Sequence, residues 1–314
     1  MKIKKYALGI DIGGTNIAYG IVDRNGNVLF EESKPTLNFT NPIDFIDYLF
    51  NQKIIQENLN EIVGIGIGAP NGNHFKGTID FAPNLLWKGC IPLKEMFEIK
   101  FNIPTQLTND ANAAAVGEKI FGCAKDLKNF VTITLGTGLG SGIFINNKIV
   151  YGEHGYAGEF GHIRIIPNGR LCNCGRKGCL ETYVSSTGVV KSFNELESSN
   201  KKSSSLNAIN NVNAKIIFEE AEKGDVFSTE IINYTAEILG SALADFTAFS
   251  DPKAYILFGG IAQSGENFRK KVEDAMEKNT LKIFEKKVEI RISALHDKNA
   301  AILGNAASVF LATK

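Results

Sequence analysis

The chain of 314 residues has no excess of charge of either sign, with 34 Lys plus Arg against 34 Asp plus Glu. That balance offers no basic surface for nucleic acid and no membrane-seeking face, so neither partner is expected. Long apolar runs are also missing, and nothing approaches the ~20 residues of a membrane span. The opening "MKIKKYALGIDIGGT" is basic and then apolar, like the front of a secretory signal. Asp11 ends its apolar run within a few residues and no small-residue cleavage site follows, so it reads as a first strand. Cysteine is sparse and odd in number, at five. Without a secretory signal this points to a reduced, cytoplasmic setting, where clustered cysteines more often bind metal than pair.

What the chain does have is apolar content, 44%, enough for a sizeable core and, at this length, for two domains or lobes. Strands are expected at "KKYALGI", "NIAYGIVD" and "NVLFEES", the last after the Asn25–Gly26 turn signal. An amphipathic helix is expected from Ile43 to Leu59 and a buried strand at "IVGIGIGAP" (62–70). "PLKEMFEIKF" (92–101) reads as a helix, "TQLTND" as a short strand and "ANAAAVGEKIFG" (111–122) as a small-residue helix. A second strand pair begins at "NFVTITLG". Helices dominate 214–249, "AYILFGG" (254–260) is a strand, and helices follow near 264–278 and 298–312. Residues 198–213, rich in Ser, Asn and Lys, read as an exposed excursion.

The chain repeats itself weakly. Shifted by 122 positions, Gly14, Thr15, Gly20, Ile21, Asn25 and Val28 fall on Gly136, Thr137, Gly142, Ile143, Asn147 and Val150. Two halves, each opening on a strand–glycine turn–strand hairpin, explain this, although any two glycine-rich hairpins share some likeness. The first turn holds Gly13, Gly14, Thr15 and Asn16; the second holds Gly136, Thr137, Gly138 and Gly140. Glycines let a backbone approach a ligand, and successive amides can cradle phosphate oxygens. Asp11, at the end of the first strand, suits a hydrated magnesium ion. Neither turn is a P-loop or a dinucleotide fingerprint. Two tight hairpins are the plain alternative to a phosphate clamp; two related turns, each with a threonine, favour the clamp. A third glycine turn, "LFGGIAQSG" (257–265), ends a strand where a nucleoside can pack.

Asn109 and Asp110 stand at a strand end and helix start. Asp110 there is either a helix cap or a base, since strand ends in α/β sheets are where ligands sit. Phosphoryl transfer to an alcohol needs a carboxylate to accept the hydroxyl proton. The densest patch is "GEFGHIRIIPNGRLCNCGRKGCLE" (158–181). Its Cys-x-Cys spacing leaves zinc and free thiols both open, with zinc favoured. A Cys172–Cys174 disulfide is disfavoured by short-loop geometry. Cys90 and Cys123 read as packing thiols. Phe75, Phe81 and Trp87 wall a ligand cleft, pack in a core or meet another subunit.

Taken together, "DIGGT" (11–15), "PNL" (83–85), "TNDANAAA" (108–115), "LGTGLGSG" (135–142), "GEFGH" (158–162), "CNCGRKGCLE" (172–181) and "ILFGGIA" (256–262) resemble the ROK family (repressors, open reading frames, kinases) of sugar kinases. They run in family order over nearly the whole chain. The resemblance implies an α/β, two-lobed actin-like ATPase (ribonuclease H-like) fold. Its small N-terminal lobe would span 1–117, with the C-terminal helix 299–314 packed back on it. Its larger lobe would span 118–298 and carry a zinc loop at 162–179.

The activity implied is transfer of the γ-phosphate of ATP to a hexose. Asp110 would be the catalytic base. Asp11, Gly13, Gly14, Thr15 and Asn16 would form the first phosphate loop, Gly136, Thr137 and Gly138 the second, and Gly259 and Gly260 would lie beside adenosine. Asn84, Asn109, Asp110, Glu159, His162 and Glu181 would meet the sugar. His162, Cys172, Cys174 and Cys179 would hold a structural zinc, its four positions filled, separate from the magnesium that travels with ATP. A homodimer is the family expectation. "APNGN…APNLLWKG" resembles the family's glucokinases more than its fructokinases, so glucose is the expected sugar. Kinases for N-acetylmannosamine or N-acetylglucosamine are the alternative. A repressor needs a helix-turn-helix ahead of the first glycine turn, and Asp11 leaves no room for one in this sequence. A non-catalytic sensor has no need of Asp110. The stretch 294–307 departs from the family's pattern at His296 and Lys298, which leaves the adenosine-side contacts open.

Overall fold

The computed structural model describes residues 4–82, 85–199, 204–295 and 300–313. Asn84, His296, Lys298 and part of the 198–213 excursion therefore lie outside the described residues. The chain divides into two compact units. One comprises Met1–Asp126, Ile149–Ala157 and Ala294–Lys314, the other Leu127–Lys148 and Gly158–Ser293.

The first unit carries β1 (Tyr6–Ile12), β2 (Asn16–Asp23), β3 (Val28–Pro35), β4 (Ile62–Gly68), β5 (Gly72–Asn73), β6 (Thr78–Asp80), β7 (Cys90–Ile91) and β8 (Thr105–Thr108). Five of these form a sheet in the order β3-β2-β1-β4-β8. β1 runs antiparallel to β2, while β4 and β8 run parallel to β1 and β4 respectively. β5, β6 and β7 make a small separate sheet.

Strand β4 shows how the sequence builds the layers. Ile65 and Ile67 alternate with Gly64, Gly66 and Gly68, and side chains alternate faces along a strand. The isoleucines are fully buried in the core. The glycine face is a floor for the helix Ala300–Ala312: a Cβ on Gly66 would stand 1.9 Å from the Asn305 carbonyl oxygen, and one on Gly9 2.2 Å from that of Ile302. Only a flat strand surface lets a helix backbone come so near.

The second unit carries β9 (Phe130–Leu135), β10 (Leu139–Ile145), β11 (Lys148–Ile149, at its boundary), β12 (Ala254–Phe258) and β13 (Glu289–Ile292). Their order is β11-β10-β9-β12-β13. Again an antiparallel hairpin comes first and two parallel strands follow. The two sheets share one topology, which is the structural counterpart of the 122-residue repeat. The repeat also shows what differs. Asp11 falls on Ile133, which is fully buried, so the acidic strand end belongs to the first unit alone.

The helix expected over Ile43–Leu59 is two helices, Pro42–Phe50 and Lys53–Asn58. Asn51 closes the first of them with its amide on the Asp47 carbonyl. Two cysteine expectations also change. Cys90 is exposed and its thiol donates to Asp80 Oδ1 at 3.0 Å. The Cys123 thiol donates to Glu118 Oε2 at 3.3 Å. Trp87 is buried, its Nε1 donating to the Phe39 carbonyl at 3.0 Å, whereas Phe75 and Phe81 are exposed. No helix among the described residues is long and apolar enough to cross a membrane.

Candidate active site and metal centre

In the first unit, the carboxyl ends of parallel strands gather the polar residues. Asp11 pairs in register with Gly68 and Gly68 with Thr108, so β1, β4 and β8 end level with one another. Thr108 leads into Asn109 and the helix Asp110–Ile120. Of the two residues there, Asn109 is the cap: its Oδ1 accepts from the Asn112 amide at 2.7 Å. Asp110 is the first helical residue, its Oδ1 accepting from the Ala111 amide at 2.8 Å. The capping role that sequence left open for Asp110 is taken by its neighbour.

The Asp110 side chain reaches solvent, yet the protein around it still pushes its carboxyl above the ordinary carboxylate value by desolvation. Burial raises Asp11 to about 7, and the Asp110 charge adds to the rise. Two acids that each disfavour ionisation are a place where a cation is welcome. The turn between β1 and β2 places Gly13, Gly14, Thr15 and Asn16 beside Asp11. It is closed by the Gly13 amide on the Asn16 carbonyl at 2.9 Å and braced by Thr36 Oγ1, which donates to the Gly13 carbonyl at 2.7 Å.

The second unit assembles the cysteine cluster. The ligand atoms of His162, Cys172, Cys174 and Cys179 all lie within 4.8 Å of one another. Cys174 Sγ is 3.6 Å from Cys179 Sγ, and Cys172 Sγ is 3.6 Å from His162 Nδ1. Around zinc, with Zn–S near 2.3 Å, a tetrahedron has S···S edges of about 3.8 Å. The donor set and its spacing fit that ion. All five cysteines are free thiols. Burial and then the Glu181 carboxylate push the Cys172 thiol up; burial and then Cys174 push Cys179 up. At Cys174 burial also acts upward, but hydrogen bonds from Arg176, Cys172 and Cys179 together outweigh it and bring the thiol to about 6.

Glu159 and His162 share the 3-10 turn Phe160–His162 and the residue that precedes it. His162 Nε2 lies 3.8 Å from Glu159 Oε2, while Nδ1 lies 3.7 Å from Glu181 Oε1. The ring therefore turns one nitrogen toward the thiols and the other toward Glu159. Glu181 also accepts from the Cys172 thiol at 3.0 Å and, through Oε2, from the Leu139 amide at 3.4 Å. That second contact ties the cluster to the turn Gly136–Gly138. Sequence reasoning missed it, because Glu181 and Leu139 stand 42 residues apart.

Gly136 and Thr137 are exposed at the end of β9. Gly259 follows β12 at φ +98°, and a Cβ there would stand 2.7 Å from the Leu135 carbonyl oxygen, so only glycine fits. A Cβ on Gly260 would meet nothing within 4 Å.

A profile of the ROK family matches residues 7–311. The chain belongs to the ROK family. Its fold is the family's actin-like ATPase fold, with mixed α/β sheets. A glucokinase of Streptomyces coelicolor is 39% identical over 82% of this chain and 83% of its own length. A xylose repressor of Bacillus spizizenii is 30% identical over 95% of this chain and 75% of its own. Among solved structures, a ROK family glucokinase from Streptomyces griseus in complex with glucose and AMPPNP superposes with a TM-score of 0.79 at 32% identity, covering 96% of this chain and 98% of that one.

Proposed function

We propose that this ROK protein is an ATP-dependent glucokinase, transferring the γ-phosphate of ATP to the 6-hydroxyl of glucose. The observation that carries the reading is Asp110. It stands at a strand end, is released from capping by Asn109 and has its pKa raised by desolvation. A base works best when its pKa approaches the working pH. The likeness to two glucokinases, one holding glucose and an ATP analogue, supports the sugar and the nucleotide.

Asp110 accepts the proton of the 6-hydroxyl as that oxygen attacks the γ-phosphorus and ADP departs. Asn84, Asn109, Glu159, His162 and Glu181 hold sugar hydroxyls, which donate and accept at once and so are best met by carboxylates and amides. At Asn109 the cap occupies Oδ1, which leaves the NH2 group as the donor to the sugar. Gly13 and Gly136 close the two turns with their own amides, the amides of Gly14 to Asn16 and of Thr137 and Gly138 hold phosphate oxygens, and Gly259 and Gly260 lie against adenosine. Magnesium bound with ATP beside Asp11 would neutralise phosphate charge there. A zinc ion on His162, Cys172, Cys174 and Cys179 would have no open position for substrate. Its task is to fix the His162 ring so that Nε2 is presented with Glu159.

Asp11 makes the stability of the fold depend on pH. Its carboxyl binds a proton more tightly in the folded chain, near 7, than unfolded, near 3.8. The folded state therefore loses stability as pH rises through that window. Asp11→Asn removes the loss. In magnesium-free buffer, the Tm of the variant minus that of the wild type should grow between pH 5 and pH 8. A difference flat across that range contradicts the shift.

A sugar panel tests the function itself. Coupled ATP consumption should give glucose the highest kcat/KM among glucose, fructose, N-acetylmannosamine and N-acetylglucosamine. A higher value for either N-acetyl sugar moves the assignment to that kinase, and no turnover with any hexose removes the enzymatic reading.

A further inference from the structure

The second glycine turn is held by more than Glu181. Cys179, the last cysteine of the cluster, is followed by the short helix Glu181–Val184 and then by the helix Ser186–Ser199. Ser185 caps the second helix, its Oγ accepting from the Gly188 amide at 3.1 Å. The first two residues of that helix reach the turn. The Ser186 amide donates to the Gly136 carbonyl at 2.9 Å, and Thr187 Oγ1 donates to the Thr137 carbonyl at 2.9 Å. Across the turn itself the Gly136 amide donates to the Gly138 carbonyl at 3.1 Å.

These contacts set the direction of two amides. In a planar trans peptide the carbonyl and the next N–H point opposite ways. Holding the Gly136 carbonyl on Ser186 turns the Thr137 N–H away from the helix. Holding the Thr137 carbonyl on Thr187 does the same for the Gly138 N–H. Two successive amides aimed one way form a small anion-binding concavity. We propose that Thr187 is a positioning residue for the nucleotide: its hydroxyl locks the Thr137–Gly138 peptide so that the turn's amides face the phosphates. This rests on the reading of Gly136 to Gly138 as a phosphate turn.

The role goes through the backbone of the turn, so it moves nucleotide affinity and leaves the sugar alone. Titration calorimetry with AMPPNP and, separately, with glucose reads both on the intact protein. Thr187→Val keeps the shape and removes the donor; Thr187→Ser keeps the donor. Thr187→Val loses the bond to the Thr137 carbonyl and a second one with Ser185 Oγ at 3.0 Å; the first alone bears on the turn, and its loss should weaken AMPPNP about three- to tenfold. Its glucose affinity, metal content and Tm should match the wild type, and Thr187→Ser should restore AMPPNP binding. Gly136→Ala separates the proposal from its premise. A Cβ at Gly136 meets nothing within 4 Å, so the fold accepts it, and only an approaching ligand meets the added methyl. If Gly136→Ala weakens AMPPNP and Thr187→Val does not, the positioning role is wrong and the phosphate turn stands. If both bind AMPPNP like the wild type, the phosphate turn is itself wrong. Equal loss of glucose and AMPPNP affinity in Thr187→Val, with a lowered Tm, makes Thr187 merely structural and also overturns the role.

Discussion

Asp110→Asn should lower kcat by about 10²–10⁴-fold, the usual contribution of a general base, while the glucose dissociation constant stays within about threefold. The variant is close to isosteric and keeps an Oδ1 to accept from the Ala111 amide, as the wild type does at 2.8 Å. The helix start is safe as well, because its cap is Asn109. What disappears is the basic oxygen that takes the hydroxyl proton. The charge that helps raise Asp11 is removed too, so Asp11 should titrate lower in the variant. Single-turnover kinetics with saturating ATP, beside calorimetry with glucose, separates the terms. A variant with near-normal kcat takes Asp110 out of the base role. One that has lost glucose binding makes Asp110 a sugar ligand first.

Cys174→Ser should take the chain from about one zinc to nearly none and weaken glucose binding about ten- to hundredfold, the range found when the support of a metal site is cut. Cys174 is the exposed thiol of the cluster, so the change removes a ligand without opening a cavity in the core. It is also the thiol held at about 6, and the thiolate is the form that binds metal. Without the ion the His162 ring loses the metal bond that fixes it and keeps only its contacts to Cys172, Glu159 and Glu181. Elemental analysis of protein purified without added metal, with glucose calorimetry, reads both effects. A Cys174→Ser protein that keeps its zinc, or loses zinc and keeps its glucose affinity, contradicts the role of the metal in shaping the sugar wall.

The parts legible in the sequence are those whose signals are local. Each glycine turn sits between apolar strands, and the 122-residue repeat foreshadows the shared sheet order. The Cys172–Cys174–Cys179 set with His162 is close in sequence and closes into one cluster. Where local signals compete or are short, the sequence says less. Asn109 and Asp110 are both good caps, and only the Asn112 amide decides between them. β5 and β7 are two residues long and β6 three, too short for alternation to show. β13 is four residues long and carries charge at Glu289 and Arg291, so it does not stand out from its charged surroundings. The alternation in "IVGIGIG" reads as a buried strand, but that its glycine face takes the helix Ala300–Ala312 depends on residues more than 200 positions away. The hold of Glu181, Ser186 and Thr187 on the second turn is of the same kind. It is made through backbone carbonyls and one amide, which leave no mark on residue type.

Phosphorus NMR of the wild-type protein incubated with ATP, magnesium and glucose tests the proposed reaction most directly. It should show glucose 6-phosphate and ADP rising in equal amounts, with no inorganic phosphate. ADP accompanied by inorganic phosphate and no sugar phosphate, or ATP left unchanged, would contradict the assignment.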